Sequence, residues 1–243
     1  MDALETAVVI VGGGVAGRAA GLFTARNGLE TIVLDDGSSL LRRNAHLENY
    51  PGLPGGINAR VLLERMTEQA ADAGCQFETA TVDALERTAD GFLATTAAGE
   101  RYQAENAIVA TKNEVGYLDS LAGVEIVDRG KSFVATDGRG RTAVDGLYAA
   151  GRLAGKPHQT IVAAGHGSEV AITLLEDREE PFYHDWVAPA GYFTGRGRDM
   201  PPGCEEIDKT TRLEREHEGR QRRQQLLEAQ LSPPPEQHPS VEQ

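Results

Sequence analysis

Three glycines near the start of the chain have the spacing that binds a phosphate group. The run GGGVAG at residues 12–17 fits G-x-G-x-x-G and directly follows an apolar, β-branched run at residues 7–11. Gly12 allows a tight turn, Gly14 lets backbone N–H groups approach a pyrophosphate, and Gly17 lets a helix pack closely on the strand. The start of that helix adds partial positive charge. The pattern predicts a dinucleotide-binding site.

A βαβ unit must hold this loop in place. Residues 15–27 have a helical pattern closed by Gly28, and residues 31–34 form a second apolar strand that ends at Asp35. Asp35 follows the last glycine by 18 residues. At that distance an acidic side chain can bond the ribose hydroxyls of a bound dinucleotide.

The rest of the first 180 residues predicts an α/β fold, a Rossmann-like domain with a central parallel sheet and a β-meander. Alternating strands at residues 76–103 form the meander, with hairpin turns at residues 89–91 and 98–99. The other predicted elements are helices at residues 57–73 and 160–176, buried strands at 106–111 and 146–151, and strand-like stretches at 124–127 and 133–135.

The composition changes after Glu180, so residues 181–243 are interpreted as an extension to a dinucleotide-binding domain at residues 1–180. Residues 181–203 predict a Gly/Pro-rich loop with an aromatic cluster of Phe182, Tyr183, Trp186, Tyr192 and Phe193. We expect this cluster to pack on the domain, to cover exposed apolar surface, or to form a dimer contact. Residues 205–230 predict a solvated helix, and the sequence from Leu231 predicts disorder.

The charge of the chain argues against nucleic acid and anionic membranes as partners. The chain has 24 Lys and Arg against 37 Asp and Glu, a formal net charge of −13. Both of those partners require local positive potential. Only Lys112, Lys131, Lys156 and Lys209 are lysines. An acidic, lysine-poor surface is typical of proteins that stay soluble in molar salt, so we expect a halophilic source; a GC-rich genome that favours Arg codons is the alternative.

The cysteines and the N-terminus limit the remaining classes. Cys75 and Cys204 lie far apart and form no C-x-x-C, so a disulfide framework, a zinc site and a metal centre are not expected. Cys75 follows the helix-ending Gly74 and is interpreted as a small core residue rather than a nucleophile. The acidic N-terminus and the absence of a long apolar run predict a soluble, cytoplasmic protein.

Four blocks in order resemble the FAD domain of the thioredoxin reductase family within the flavoproteins that bind two dinucleotides. They are residues 8–35, HLENYPG at 46–52, AIVAT at 107–111, and GLYAAG at 146–151 together with residues 159–167. The resemblance covers most of residues 7–177 and implies FAD as the cofactor. By position it places Gly12, Gly14, Val15 and Ala16 at the pyrophosphate, Gly17 at the helix–strand contact, Asp35 at the adenosine ribose, Val82 at adenine through its backbone, and Asn49 near the flavin.

The same resemblance assigns the later blocks. Thr111 ends the strand that leaves the FAD domain, and Gln159 and Thr160 begin a helix whose N-terminus points at the pyrimidine end of the flavin. There it would stabilise negative charge on reduction. Gly151 and Arg152 occupy the family's Gly-Asp element, whose carboxylate holds the ribityl chain. In this chain Arg152 could instead bond the pyrophosphate through two N–H groups.

The chain departs from the family in three further respects. It has no redox C-x-x-C, and residues 113–123 form a short link where the family inserts an NADPH-binding domain with a second glycine fingerprint. Residues 38–41 (SSLL) replace the glycine-rich element that usually meets the isoalloxazine. His158 and His166 are candidates to relay protons to a reduced flavin, with packing or hydrogen bonding as the alternative for each.

These observations predict an FAD-dependent oxidoreductase of thioredoxin reductase-like type that is not a dithiol–disulfide reductase. Its electrons would come from an external donor: free NAD(P)H, a ferredoxin-like carrier, or another subunit, and the chain could form a homodimer. Two alternatives stay open. One is a non-catalytic flavin-binding, dinucleotide-binding or interaction protein; the other is a thiazole-synthase-like enzyme that binds NAD as a substrate.

Overall fold

A seven-stranded sheet lies at the centre of the protein, whose computed structural model describes residues 3–178 and 184–229. The strands are β1 Leu4–Val11, β2 Thr31–Asp35, β3 Gln76–Thr79, β4 Val82–Thr88, β5 Gly91–Thr96, β6 Arg101–Val109, β7 Ile126–Asp128, β8 Ser132–Val134, β9 Leu147–Ala149, β10 Trp186–Pro189 and β11 Cys204–Ile207. The helices are α1 Val15–Arg26, α2 Ala59–Asp72, α3 Thr160–Asp177 and α4 Lys209–Ala229.

The sheet has the order β3-β2-β1-β6-β5-β4, and β9 pairs with the second half of β6. Strands β3, β2, β1, β6 and β9 are parallel to their neighbours, whereas β4, β5 and the first half of β6 form an antiparallel meander. The apolar runs of β1 and β2 are buried on both faces, as parallel strands require. This arrangement confirms the Rossmann-like α/β fold.

Helices cover one face of the sheet. Helices α1 and α3 pack against each other and against the side chains of Val8, Ile10 and Ile108. The two helices approach so closely that a Cβ atom on Gly167 of α3 would lie 2.1 Å from the carbonyl oxygen of Ala16. The close approach brings the N-termini of both helices to the same edge of the sheet.

The opposite face is covered by the meander and by the link after β6. In this link a 3-10 turn at Gly116–Leu118 buries Tyr117, Leu118 and Leu121 in the same apolar cluster as Leu85 of β4. The Ser120 hydroxyl also donates to the carbonyl of Leu85 at 3.4 Å. The link is therefore part of the core of the domain.

The C-terminal extension differs from the prediction. Residues 204–207 form β11 and not the start of a helix, and the predicted loop contains β10, which pairs in parallel with β11. The Glu206 carboxylate explains the order: it accepts bonds from the backbone of Gly191, Phe193 and Thr194 and from the Thr194 hydroxyl at 2.6–3.0 Å. Trp186, Tyr192 and Phe193 form edge-to-face contacts with one another. Phe182, Tyr183 and the predicted disorder from Leu231 lie outside the described residues.

The extension attaches at the edge of the sheet where α1 and α2 end. Asp185 forms a two-point ion pair with Arg26, the last residue of α1, at 2.5 and 2.6 Å. Arg222 of α4 lies 3.9 Å from Asp72, the last residue of α2. These contacts are at the opposite end of both helices from their N-termini.

Cys75 is buried beneath α1, and burial raises its pKa to about 12, so its interpretation as a core residue is confirmed.

Among the described residues, no helix combines the length and the apolar composition that crossing a bilayer needs.

Candidate functional site

A cavity of about 710 Å³ opens at the carboxyl ends of β1, β2 and β6, where α1 and α3 begin. Loops and strand ends at this edge form the wall, as expected for ligand sites in parallel α/β sheets. Of the predicted site residues, those that line the cavity are Gly12, Gly14, Val15, Ala16, Asp35, Asn49, Val82, Thr111, Arg152, His158, Gln159 and Thr160. Gly17, Gly151 and His166 lie behind this wall. The roles of these residues toward a cofactor remain predictions.

The glycine loop has the backbone geometry that its sequence predicts. Gly12 has φ 105°, and a Cβ atom there would lie 2.8 Å from the carbonyl oxygen of Ala110. A Cβ on Gly14 would meet only the Ser39 hydroxyl, at 3.7 Å. No side chain caps α1 and its first turn holds no acid, so the free N–H groups of this helix start line the cavity.

Asp35 is held in one orientation by its neighbours. One carboxylate oxygen accepts from the Gly37 backbone N–H at 3.0 Å, and the other accepts from the Arg18 guanidinium at 2.9 Å. Arg18 is buried and also donates to the Thr67 hydroxyl at 2.7 Å. Burial lowers the pKa of Arg18, while the Asp35 carboxylate opposes that shift. Arg18 was not predicted; its signal is a charged residue placed directly after the last glycine of the fingerprint.

The two residues predicted at the flavin are brought together at the other end of the cavity. The Asn49 side-chain amide donates to the Gln159 side-chain oxygen at 2.9 Å, although 110 residues separate them. Helix α3 starts at Thr160 without a side-chain cap and without an acid in its first turn. Helix α2, which starts outside the cavity, is capped by the Asn58 side chain. Both helix starts in the cavity are thus left open for a ligand.

The link after β6 positions Arg152. The Arg152 guanidinium donates to the Asn113 side-chain oxygen at 3.1 Å, and the Asn113 amide donates to the carbonyl of Ser132 at 2.9 Å. Thr111 shares a hydrogen bond of 2.8 Å with the hydroxyl of the buried Tyr117. Arg152 therefore lies in the cavity wall where the resembling family has a carboxylate.

The two histidine candidates differ in their surroundings. His166 is 4% exposed, and its Nδ1 accepts the backbone N–H of Gly151 at 2.9 Å. Burial, with a smaller contribution from Lys156, lowers the pKa of His166 to about 4, so the ring is neutral and supports the turn at Gly151. His158 is exposed and lines the cavity. Partial burial and the charges of Arg152, Lys112 and Lys131 lower its pKa. Of the two, only His158 is placed to move a proton in the cavity.

A buried arginine that was not predicted holds another part of the wall. The Arg60 guanidinium donates to the carbonyl of Arg42 at 2.9 Å, of Asn44 at 2.8 Å and of Ala45 at 3.4 Å. The segment it holds contributes Leu40, Leu41, Arg43, Asn44 and Leu47 to the cavity. No sequence pattern pointed to Arg60, because its partners are backbone atoms of an irregular segment.

The wall fits FAD in its chemistry. An uncapped helix start can bind a pyrophosphate, and the Asp35 carboxylate lies in the wall at the end of β2, where a ribose can bond it. The second uncapped helix start lies beside Asn49 and Gln159, where negative charge on a flavin would be stabilised. Asp35 and Asp36 lie at the β2 end of the wall, and the other ionisable residues of the lining are Arg43, Lys112, Glu114, Tyr117, Arg152 and His158.

Comparisons with known proteins agree with this chemistry. A family model described as an FAD binding domain matches residues 7–46, which span the glycine loop and Asp35. A bifunctional thioredoxin reductase/thioredoxin of Mycobacterium leprae is 34% identical over 131 residues, covering 53% of this chain and 29% of that protein. The thioredoxin reductase of Rickettsia felis is 28% identical over 176 residues, covering 72% and 57%. The chain spans less than two thirds of the length of either relative.

Solved structures show the same fold. A thioredoxin reductase from Gloeobacter violaceus superposes with a TM-score of 0.64 at 19% identity, covering 76% of this chain and 99% of that one. The structure of HlmI gives a TM-score of 0.66 at 16% identity, covering 72% and 93%. Taken with the family model, the chain carries an FAD-binding domain similar to that of thioredoxin reductases.

Proposed function

We propose that this thioredoxin reductase-like FAD-binding chain is an oxidoreductase whose flavin receives electrons from a donor outside residues 1–180. The observation that carries the proposal is the single cavity wall that combines Gly12 and Gly14 of the fingerprint, Asp35 and two uncapped helix starts. FAD bound there would supply two-electron redox chemistry. The chain itself would bind, orient and charge-stabilise the cofactor.

The link after β6 supports a domain that functions without the family's NADPH-binding insertion. Tyr117, Leu118 and Leu121 are each less than 8% exposed, and they fill the apolar cluster beneath the meander. Such burial of large side chains stabilises a fold by about 1.5–3 kcal/mol each. Residues 113–123 therefore close the domain by packing into its core.

The cysteines support a reaction other than dithiol–disulfide exchange. The Cys75 thiol is buried against α1 and its pKa is raised, which disfavours the thiolate that such exchange needs. Cys204 begins β11 in the extension, which attaches at the edge of the sheet opposite the cavity. No other cysteine occurs in the chain.

Each cavity residue then has a proposed role. The N–H groups after Gly14 would hold the pyrophosphate and Asp35 the adenosine ribose, while the α3 start with Asn49 and Gln159 would orient the flavin. Arg152 would bond the pyrophosphate, because Gly151 lies against Ala16 in the first turn of α1 and brings Arg152 beside the glycine loop. His158 would exchange protons with the flavin end of the site.

Arg152 also favours a second candidate function, that of a flavin-binding protein without turnover. It stands where the resembling family has the carboxylate that holds the ribityl chain. A protein of this kind would bind FAD and yet show no reduction of the flavin by any donor.

The test is the visible spectrum of the purified protein and the identity of the released cofactor. We expect a yellow protein that releases FAD, or a flavin-free protein that takes up FAD in titration. Asp35→Asn should weaken FAD binding about tenfold because a charge-assisted bond to ribose is lost. Asp36→Asn is the matched control, since the Asp36 carboxylate already accepts both the N–H and the hydroxyl of Ser38.

A colourless protein that takes up no FAD would overturn the proposal. Anaerobic addition of reduced donors then separates the two candidates, since a flavin that no donor reduces identifies a binding protein without turnover.

A further inference from the structure

Three of the four lysines in the chain gather beside the mouth of the cavity. Lys112 lines the cavity, and Lys131 lies in the turn of the β7–β8 hairpin. The backbone N–H of Lys156 donates to the carbonyl of Gly151 at 3.3 Å, next to Arg152 in the cavity wall. The three come from segments up to 44 residues apart in the sequence. We call Lys112, Lys131 and Lys156 the basic rim.

Two contacts tie the rim to the site. Asn113 bonds both Arg152 in the cavity wall and the carbonyl of Ser132, the residue after Lys131. The charges of Lys112 and Lys131 both reach His158 strongly enough to lower its pKa. Lys112 and Lys131 therefore act on the same end of the cavity as His158, whereas the charge of Lys156 acts on His166 behind the wall.

The positive charge of the rim has no carboxylate partner inside the protein. Within the part of the chain that the structure describes, no Asp or Glu oxygen lies within 4.0 Å of a rim ammonium group. Glu114 lines the cavity nearby, and the Asp128 carboxylate is engaged by the Gly130 N–H. This unpaired charge stands out in a protein of net charge −13.

The cofactor alone does not account for the rim. Lys131 and Lys156 do not line the cavity, so they are outside the reach of a molecule bound within it. Lys131 is exposed, as expected of a group that meets a partner from outside, whereas Lys156 is half-buried and its ammonium group donates to the carbonyl of Gly138 at 3.5 Å. A small acidic protein is attracted by such a rim and repelled by the rest of this surface, so the charges also orient it.

We infer that the basic rim docks a small acidic protein that carries electrons one at a time, and that this carrier is the donor for the cavity. The inference rests on the proposed function. Two reduced carriers each lose one electron, and the flavin gains two electrons together with two protons from solvent. The protons can pass through His158, which lines the cavity.

Binding tests the rim separately from catalysis. The probe is an acidic [2Fe–2S] carrier protein in its oxidised form, titrated by calorimetry against both FAD-loaded and flavin-free protein at the lowest salt that keeps the chain folded. We expect Lys131→Glu to raise the dissociation constant about tenfold, and 0.5 M salt to weaken binding further. Lys156→Glu, at a second rim position, should act in the same direction.

Lys209→Glu is the matched control, because it makes the same charge change on the fourth lysine, at the start of α4 and away from the rim. A basic haem carrier of similar size is the control for charge sign. With reduced acidic carrier under anaerobic conditions, two carriers should be oxidised per flavin reduced, and Lys131→Glu should slow that step about tenfold.

Several results would overturn the inference. They are equal effects of Lys131→Glu and Lys209→Glu, equal binding of the basic carrier, or flavin reduction by NADH or NADPH alone with no binding of the acidic carrier. Failure of the proposed function is distinguishable, because it would show as absence of FAD binding, whereas the docking arm is measured on flavin-free protein as well.

Discussion

A substitution at Gly14 should change the affinity for the cofactor while leaving the stability of the fold nearly unchanged. Its φ of −72° suits alanine, and an added Cβ would contact only the Ser39 hydroxyl at 3.7 Å. We expect Gly14→Ala to change the unfolding free energy of the flavin-free protein by less than about 1 kcal/mol. The same change should weaken FAD binding at least about tenfold, because the methyl group stands where N–H groups approach the pyrophosphate.

Urea denaturation and FAD titration check this expectation, with Gly138→Ala as the control. Gly138 lies outside the cavity lining, and an added Cβ there meets open space. Equal FAD affinity in the two variants would contradict the proposed place of the pyrophosphate.

His166 predicts a pH dependence of stability. The pKa of His166 in the folded protein, about 4, lies below the ordinary value of 6.5. Between these two pH values the unfolded chain therefore binds a proton at His166 and the native state does not. The stability that neutral His166 supports is complete above pH 6.5 and is lost as the pH falls from 6.5 toward 4. The slope approaches at most about 1.4 kcal/mol per pH unit.

The comparison is with His166→Asn, whose side-chain oxygen can still accept the Gly151 N–H but does not titrate. Urea midpoints at several pH values between 7.5 and 4.5 should fall more steeply in the wild type than in the variant. Parallel curves would mean that His166 is not the group responsible.

At the scale of elements, Arg60 connects helix α2 to the irregular segment that forms part of the cavity wall. Arg60→Met leaves the carbonyls of Arg42, Asn44 and Ala45 without their donor, which we expect to lower the unfolding free energy by about 2 kcal/mol. Trypsin should then cleave after Arg42 and Arg43 faster than in the wild type, and FAD should dissociate faster.

The exposed Arg198 offers the matched change, Arg198→Met, which removes an arginine without touching the segment. Tryptic digestion followed by mass spectrometry identifies the cleaved bonds. Cleavage of the Arg60 variant at the wild-type rate would show that the helix does not hold the wall.

The elements also differ in how well their sequences predicted them. Helix α1 and strand β2 were predicted to within one residue, and β1 begins three residues before its predicted start at residue 7. The agreement arises because an apolar strand, a glycine turn and a helical period are all local signals. Strands β10 and β11 were not predicted as strands. Their pairing depends on hydrogen bonds from backbone groups of residues 191–194 to the Glu206 carboxylate. No periodic pattern in the sequence predicts such bonds.

At the scale of the whole molecule, the net charge of −13 predicts a dependence of stability on salt. Self-repulsion among exposed carboxylates is screened when the Debye length falls to about 3 Å in molar salt. We expect the thermal midpoint to rise between 0.2 M and 3 M KCl. Circular dichroism melting across that range checks it, with NaCl as a second salt. A protein equally stable at both ends would contradict the halophilic interpretation.

Local sequence patterns are enough to predict the βαβ unit, the glycine loop and Asp35, because strand period, turn chemistry and motif spacing all act over a few residues. The tertiary structure was needed to show that Asn49 meets Gln159, that Arg18 orients Asp35, and that the link after β6 enters the core. It alone brought Lys112 and Lys131, from separate segments, to the end of the cavity that holds His158. Such contacts join segments that are distant in the sequence. They form only when sheet order and helix packing bring those segments together, so residue types alone do not predict them.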